Sequence, residues 1–536
     1  MPTQASPSVL NLPFTLAEEY VANNDATADV SAEFALFMDA CRADKSVGWA
    51  MRQYRLDSQV TLTLEGTGEG EHASFRGGGR HSRSIQCNSA AGGIRVTGSG
   101  AGRQQTVEFH DFHFVPTATD SGVGLHIDGN AGGVSIQSGL TMSNVYYGAT
   151  DDSSALDFAA GPTLNGLFHA KIDGFSATQN SGATTKWDHC VSMVGCYAVV
   201  FNDWFINVKS SLASGGGALV GIKSVGTTEE GFVANNIIMN GADVGVDVYR
   251  TGREPGFYWS KGHINHRHIG MRLNGIKYGY IDAVSMYSND PLAGQDTIDF
   301  LLQDVDGLTI MHPSFRASGD DGKRRHFWLE PEAGKAGAVV RNITIVMKAA
   351  NLFSDSTVPP IYCNGATNVT IELPRDMPEV DFVNYATRWI EMGPAQDPAE
   401  IKVKFTNGIG MYSDTSTAGP SFELVRYSGT PANGDDLGQI RYMGMNSAAE
   451  ETAYAATVAE ISNVTNGAED GVLNHFLKIA GSDVKVFGLL RPAADSETAM
   501  FLLVRDGTSL SLQRVTLGAD DSGTTGKRIL EVPNGA

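Results

Sequence analysis

"EEGFVANNIIMNGADVGVDV" (residues 229–248) and "EPGFYWSKGHINHRHIGMRL" (residues 254–273) align without a gap at an offset of 25 residues. Five of the twenty positions are identical: Glu229/Glu254, Gly231/Gly256, Phe232/Phe257, Asn240/Asn265 and Gly245/Gly270. Apolar character persists at Val244/Ile269, Val246/Met271 and Val248/Leu273, and the sites between them pair Asp247 with Arg272 and Asp243 with His268. A repeat of this length with alternating polarity reads as one rung of a coil, whose equivalent residues stack on strands about 4.8 Å apart. Opposite charges stacked that way are mildly favourable. The register predicts Val246, Val248, Met271 and Leu273 pointing inward, with Asp247 beside Arg272.

The same grammar recurs with looser spacing. "GYIDAVSMY" (279–287) is followed by "DTIDFLLQD" (296–304), "GLTIMHPSF" (307–315) by "RHFWLEPE" (325–332), and "NITIVM" (342–347) by "NVTIEL" (368–373). Short alternating strands separated by Gly, Asn and Asp turns are the all-β signal. Repetition at this period makes the fold a solenoid, not a sandwich.

Composition agrees. The chain has 536 residues, 62 of them glycine, and only 18% are charged, which suits a turn-rich β protein of more than one domain. A net charge of -21 argues against nucleic acid and anionic membranes, and leaves a glycan open as partner. The N-terminus carries neither a basic nor an apolar signal region, so no secretory signal is expected. No apolar run is long enough for membrane insertion. Cys41, Cys87, Cys190, Cys196 and Cys363 are scattered and odd in number, as expected of free thiols in a chain folded in a reducing cytoplasm.

His263, His266 and His268 fall within six residues and raise the question of a metal. They sit in the rung that copies Ile238, Gly241 and Asp243, and no second His/Cys cluster supplies a fourth ligand. The expectation is satisfied or solvent-facing histidines, with no metal and no cofactor.

Residues 25–56, "DATADVSAEFALFMDACRADKSVGWAMRQYRL", begin with an Asp/Thr/Asp cap and place Phe34, Phe37, Met38 and Cys41 at helical spacing. The helix followed by "SQVTLTLEGTGEG" resembles the opening of right-handed parallel β-helices of the pectate-lyase-like superfamily, as in phage tailspikes. A second resemblance lies in residues 434–481. There Leu437-Gly438-Gln439-Ile440, Tyr454-Ala455-Ala456-Thr457-Val458 and Gly467-Ala468-Glu469-Asp470-Gly471-Val472-Leu473 resemble phage tail-fibre C-termini, and "LGADDSGTTGKRILEVPN" (517–534) resembles their closing segments. Together the resemblances imply a right-handed parallel β-helix in a homotrimeric virion protein. It would be assembled in the bacterial cytoplasm, act at the host surface and attach to the phage tail, baseplate or capsid through its N-terminus.

Four prolines, Pro374, Pro378, Pro394 and Pro398, predict an end to the regular coil, because proline removes ladder donors. The expected organisation is an extended attachment tail over 1–24 and a β-helix with cap helix over 25–373. A linker over 374–400 and a β-rich trimerisation domain over 401–536 follow. Within the last, "IKVKF" and "SFELVRY" suggest antiparallel strands.

Function must come from a site, since a solenoid hosts many chemistries. A virion β-helix implies a host surface polysaccharide, either cleaved by a depolymerase or only bound by a receptor-binding or structural fibre. Glycoside hydrolysis wants two carboxylates about 5–5.5 Å apart for retention or roughly 6.5–9.5 Å for inversion. Glu229 and Glu254, equivalent on adjacent rungs, are the candidate pair, with Asp282 as a reserve acid. Trp204, Tyr258 and Trp259 are candidate sugar platforms, and Arg253 and Lys261 could hold an acidic sugar. "WDH" (187–189) with Asp203 is an alternative acid cluster. A lyase would instead need a base and a cation facing a uronate. A non-viral pectinase-like enzyme fits less well, given the fibre-like C-terminus and scattered cysteines.

Overall fold

Two columns of residues with left-handed backbone cut the chain into rungs. Ala198, Gly231, Gly256, Tyr278, Gly307, Asn342 and Asn368 all have positive φ, and Asp111, Asn144, Gly174, Asp203, Asn236, Lys261, Ala283 and His312 form the other column. Gly, Asn and Asp tolerate this region most readily, which is why such residues punctuate the sequence at near-regular intervals. The computed structural model describes residues 14–405 and 432–515 apart from 23–24, 66–70, 80–84, 89, 91, 100–104, 120, 130–137, 149–154, 227–230, 290, 293–294, 319–323, 348–357, 359, 374–389, 393–394, 396–400, 448–450, 466–469, 480–481, 491–498 and 507–508.

Between the corners, parallel ladders build a three-faced solenoid within the compact unit Met1–Gly408. The first face runs through Val47–Ala50, His72–Gly77, Gln105–His110, Ser138–Ser143, His169–Asp173 and residues 199–202 and 232–235, where the strands Val199–Asn207 and Phe232–Asn289 begin before turning the corner onto the other faces. It continues through residues 276–282 and 305–311, Val340–Val346 and Thr367–Leu373, while residues 269–273 and 297–302 of the same long strands belong to the third face. The second face includes Gln53–Leu56, Ile85–Cys87, His113–Pro116 and Tyr146–Gly148. The third includes Gln59–Glu65, Gly93–Ser99, Gly124–Asp128, Thr163–Asn165, Trp187–Val194 and Ala218–Gly226, and later Arg324–Leu329 and Ile361–Cys363.

The 25-residue register holds. The Arg272 guanidinium grips both oxygens of Asp247 at 2.8 and 2.6 Å. Val246, Val248, Met271 and Leu273 are fully buried. Gly245 lies so close to the next rung that a Cβ would stand 2.6 Å from the Gly270 carbonyl oxygen, so this position has room only for glycine. Inside, aromatic residues stack from coil to coil, as Phe232 on Phe257 and Phe300 on Phe327, with ring centres 5.0 and 5.3 Å apart. Burying each such ring stabilises by about 1.5–3 kcal/mol. The helix Ser31–Asp44 buries Phe34, Phe37, Met38 and Cys41 against the first coil, and its leading Ser31 N–H donates to Asp29. All five cysteines are free and buried, and burial pushes the Cys87 and Cys363 thiols up to about 12.

Both expected ends of the solenoid shift. Phe14–Leu16 pairs in parallel with Val47–Ala50, and Ala17 and Val21 are buried, so part of the expected tail belongs to the first coil. Ile390–Met392 pairs with Ile361–Cys363, and Ile401–Phe405 with Thr367–Leu373, so "IKVKF" is a parallel rung. Parallel pairing thus resumes beyond 373, where an end to the coil was expected; the four prolines themselves, like "SFELVRY", lie outside the described residues. A second unit, Ile409–Ala536, holds an antiparallel meander of six strands: Asp436–Met445, Glu451–Asn463, Asp470–Ile479, Ser482–Leu490, Ala499–Asp506 and Ser509–Val515.

Candidate functional site

On the first face every second residue points outward, and the outward positions of successive rungs form columns. One column is Ser74, Glu108, Thr141, Lys171, Val200 and Val233. Next to it stand His72, Thr106, Gly139 and His169. Because Gly139 has no side chain, the face dips between Thr106 and His169. The resulting groove encloses about 440 Å³ and is lined by Thr106, Glu108, Thr141, His169, Lys171 and Val200 among others.

Glu108 is the chemical centre of this groove. Its Oε2 accepts from Ser74 Oγ at 3.0 Å and faces His110 Nε2 at 3.2 Å and His72 Nε2 at 3.9 Å. Each imidazole is anchored from behind, His72 Nδ1 to Thr106 Oγ1 at 2.7 Å and His110 Nδ1 to Ser143 Oγ at 2.6 Å. Partial burial would raise the Glu108 pKa, but the hydrogen bonds of His110 and Ser74 and the nearby imidazoles outweigh it and hold the group below the usual range. Glu108 is therefore an ionised acceptor with two imidazoles at hand, a set suited to proton transfer. Farther along the face the carboxylate of Asp173 is engaged by Lys171 at 2.9 Å and Asn202 at 2.7 Å. It lies two ladder steps across and two residues along, about 10 by 7 Å. That exceeds both hydrolytic spacings, about 5.5 Å and 6.5–9.5 Å.

Farther along the same face the outward column becomes aromatic. The 25-residue register carries Val233 to Tyr258, 47% exposed, and Tyr280 pairs onward with Thr309 and is 40% exposed. At the corner Tyr278 is 62% exposed, with Lys277 Nζ 5.2 Å from its ring centre. Rings this open on a folded surface can take the apolar face of a sugar.

The sequence candidates divide. Tyr258 lies on this face, Lys261 is exposed at its corner, and Asp282 is half-buried at an outward position where its Oδ1 meets His312 Nδ1 at 3.1 Å. Trp204 and Trp259 do not serve as platforms. Both occupy inward positions, 1% and 0% exposed, with their indole N–H groups donated to the Ile172 and Lys261 carbonyls. Arg253 is turned to Asp304 at 3.6 Å, beside Lys335. Glu229 and the side chain of Glu254 lie outside the described residues. The "WDH" cluster does not assemble with Asp203. Trp187 is core and donates to Asp157, His189 is buried between Asp188 and Thr163, and Asp203 stands at a first-face corner bonded by Asn236.

The three histidines go separate ways. His263 lies beside Tyr287 with the rings tilted by 36° and their centres 5.8 Å apart, and His268 Nδ1 meets the Asp296 carbonyl at 2.7 Å. His266 is fully buried, and its Nε2 contacts Asp299 at 2.8 Å. Asp299 also meets His326 Nδ1 at 2.7 Å and accepts from Arg324 at 2.8 and 3.1 Å. Both histidines aim at the carboxylate itself, and among the described residues no group of His, Cys, Asp and Glu is arranged to hold a metal ion. Sequence reasoning missed Glu108 and its imidazoles. The available signal was the stacking of "HASF" (72–75) with "TVEF" (106–109) at an offset of 34 residues.

No protein-family model matches the chain, and no curated protein does. Solved structures with a similar fold include the tailspike of Acinetobacter phage vb_AbaP_AS12, at 8% identity over 97% of this chain and 85% of that one, with a TM-score of 0.43. Another is DFA-IIIase from Arthrobacter chlorophenolicus A6, at 13% identity over 75% and 100%, TM-score 0.41. A third is PfbA, a surface adhesin of Streptococcus pneumoniae, at 10% identity over 88% and 98%, TM-score 0.37. At these identities the likeness is one of fold.

Proposed function

We propose that the chain is a polysaccharide-recognising fibre of a phage particle, and that the glycan lies along the first face of the solenoid. The observation that carries this reading is the open groove at Gly139, continued on the same face by the exposed Tyr258 and Tyr280. A strand of sugars needs such a surface: long, shallow, with C–H stacking sites and fixed polar groups. The acidic chain has no use for nucleic acid, and the site requires no cofactor. Trimerisation through the C-terminal unit is part of the proposal. In that sheet Val458 is the one buried hydrophobic residue among those described, while Leu437, Ile440, Tyr442, Tyr454 and Leu477 are exposed. Covering by further copies would bury these exposed apolar side chains.

Cleavage is the second reading, favoured by Glu108 with His72 and His110. These groups fit proton abstraction from a sugar carbon or transfer to a leaving oxygen. Purified protein incubated with host surface polysaccharide should bind it and release unsaturated or reducing ends, with release lost in Glu108→Gln. Binding without products would leave a receptor-binding fibre. Absence of binding to the polysaccharide of any strain that the particle adsorbs to would refute the proposal.

A further inference from the structure

We propose a second saccharide platform, built by Trp328 and Tyr362 on the third face and suited to neutral hexopyranose units. It rests on the preceding reading only for the class of ligand. The third face carries its own outward column, Asp247, Arg272, Leu301, Trp328 and Tyr362, one residue per rung. Trp328 and Tyr362 stand on adjacent strands with ring centres 4.8 Å apart and planes tilted by 56°. Both are half-buried, unlike Trp187, Trp204 and Trp259, which are closed in the core.

The platform is fixed before any ligand arrives. Trp328 packs with Leu301 on a small apolar cluster of Val220, Val244, Ile269 and Ile298, separate from the main core. Its Nε1 donates to Glu330 Oε2 at 2.8 Å, and the other Glu330 oxygen accepts from Asn364 Nδ2 at 2.6 Å. Asn364 is held in turn, its Oδ1 accepting from the Ala395 N–H at 2.9 Å. The Arg325 guanidinium sits 5.3 Å from both ring centres, which pins the two rings together. A preorganised platform loses little entropy on binding. With the indole N–H engaged, the rings offer chiefly their π faces, and these attract the slightly positive C–H face of a pyranose. Charge selects a neutral sugar. The Arg272 fork is closed on Asp247, and Arg325, 8% exposed, lies over the two rings, so neither of these cations is open to a uronate.

Titration calorimetry of the full-length protein with maltohexaose, cellohexaose and chitohexaose tests the proposal. At least one should bind at about 1 mM or tighter, and Trp328→Ala should weaken it by about tenfold or more. Tyr362→Ala, a second change at a half-exposed site, should weaken the same ligand. Leu36→Ala, at an exposed position of the N-terminal helix, should leave it unchanged, and the Tyr258→Ala/Tyr280→Ala double variant reports the first-face site separately. No binding of any of the three, or unchanged affinity in Trp328→Ala and Tyr362→Ala, would overturn the platform. Loss confined to the double tyrosine variant would overturn it as well while supporting the first-face reading.

Discussion

Replacing Asp299 with alanine should open the middle of the solenoid. The carboxylate is fully buried and faces four nitrogen groups, His266 Nε2, His326 Nδ1 and two from Arg324, all on side chains no more than 2% exposed. Arg324 holds it in the ionised state despite burial, well below the usual carboxylate range. Removing it leaves the Arg324 guanidinium buried without its anion, retaining contacts such as those to the Arg316 and Met286 carbonyls. Breaking a buried pair in this way costs about 3–5 kcal/mol. A solenoid opens locally, so the loss should appear in amide hydrogen exchange of Thr297–Met311 and Arg324–Leu329. Exchange there should accelerate by roughly two to nearly four orders of magnitude, at about 1.4 kcal/mol per tenfold. The double variant Asp299→Leu/Arg324→Met should recover most of the protection, because an apolar replacement leaves no unpaired charge. Exchange in Asp299→Ala within tenfold of the parent would refute the reasoning.

Four further outcomes follow from the same structure. Val248→Asp places an unpaired charge at a fully buried rung position and should cost several kcal/mol or drive the new carboxyl neutral, read as a lower denaturation midpoint. Burial depresses the His266 and His189 pKa values, against the pull of Asp299 and Asp188. The unfolded chain thus binds more protons below about 6.5, and stability should fall as pH drops through that value, with the His266→Gln/His189→Gln variant showing a flatter pH profile. If Glu229 and Glu254 form a hydrolytic pair, Gln at either should abolish cleavage and spare binding; full activity in Glu254→Gln would assign any turnover elsewhere. Light scattering of the full-length chain should give a trimer mass, and a monomer would remove the assembly part of the proposal.

The fold was legible wherever rungs repeat without insertion. The 25-residue offset specifies Asp247 against Arg272 and four inward apolar residues, because period-two alternation and stacking act on neighbouring rungs alone. The ends were less legible. A cluster of prolines reads as the end of a ladder, yet Ile390–Met392 and Ile401–Phe405 still pair in parallel with the coil, and that pairing depends on partners about 30 residues upstream that local composition does not reveal. Trp204 and Trp259 show why aromatic platforms are hard to read: an indole with its N–H given to a carbonyl is as good a core residue as a surface one. His266 and Asp299 are 33 residues apart, and His72 and Thr106 are 34 apart. Such contacts depend on the lengths of intervening loops, which carry no periodicity to count.

The central claim is that polysaccharide lies on the first face. Hydroxyl-radical footprinting of the full-length protein, with and without the surface polysaccharide of a strain it adsorbs to, tests this directly. The account predicts that Tyr258, Tyr280 and His169 become protected, while Tyr442 and Tyr454 of the C-terminal sheet react as before. Unchanged oxidation of Tyr258, Tyr280 and His169 under saturating polysaccharide, or protection confined to the C-terminal sheet, would contradict it.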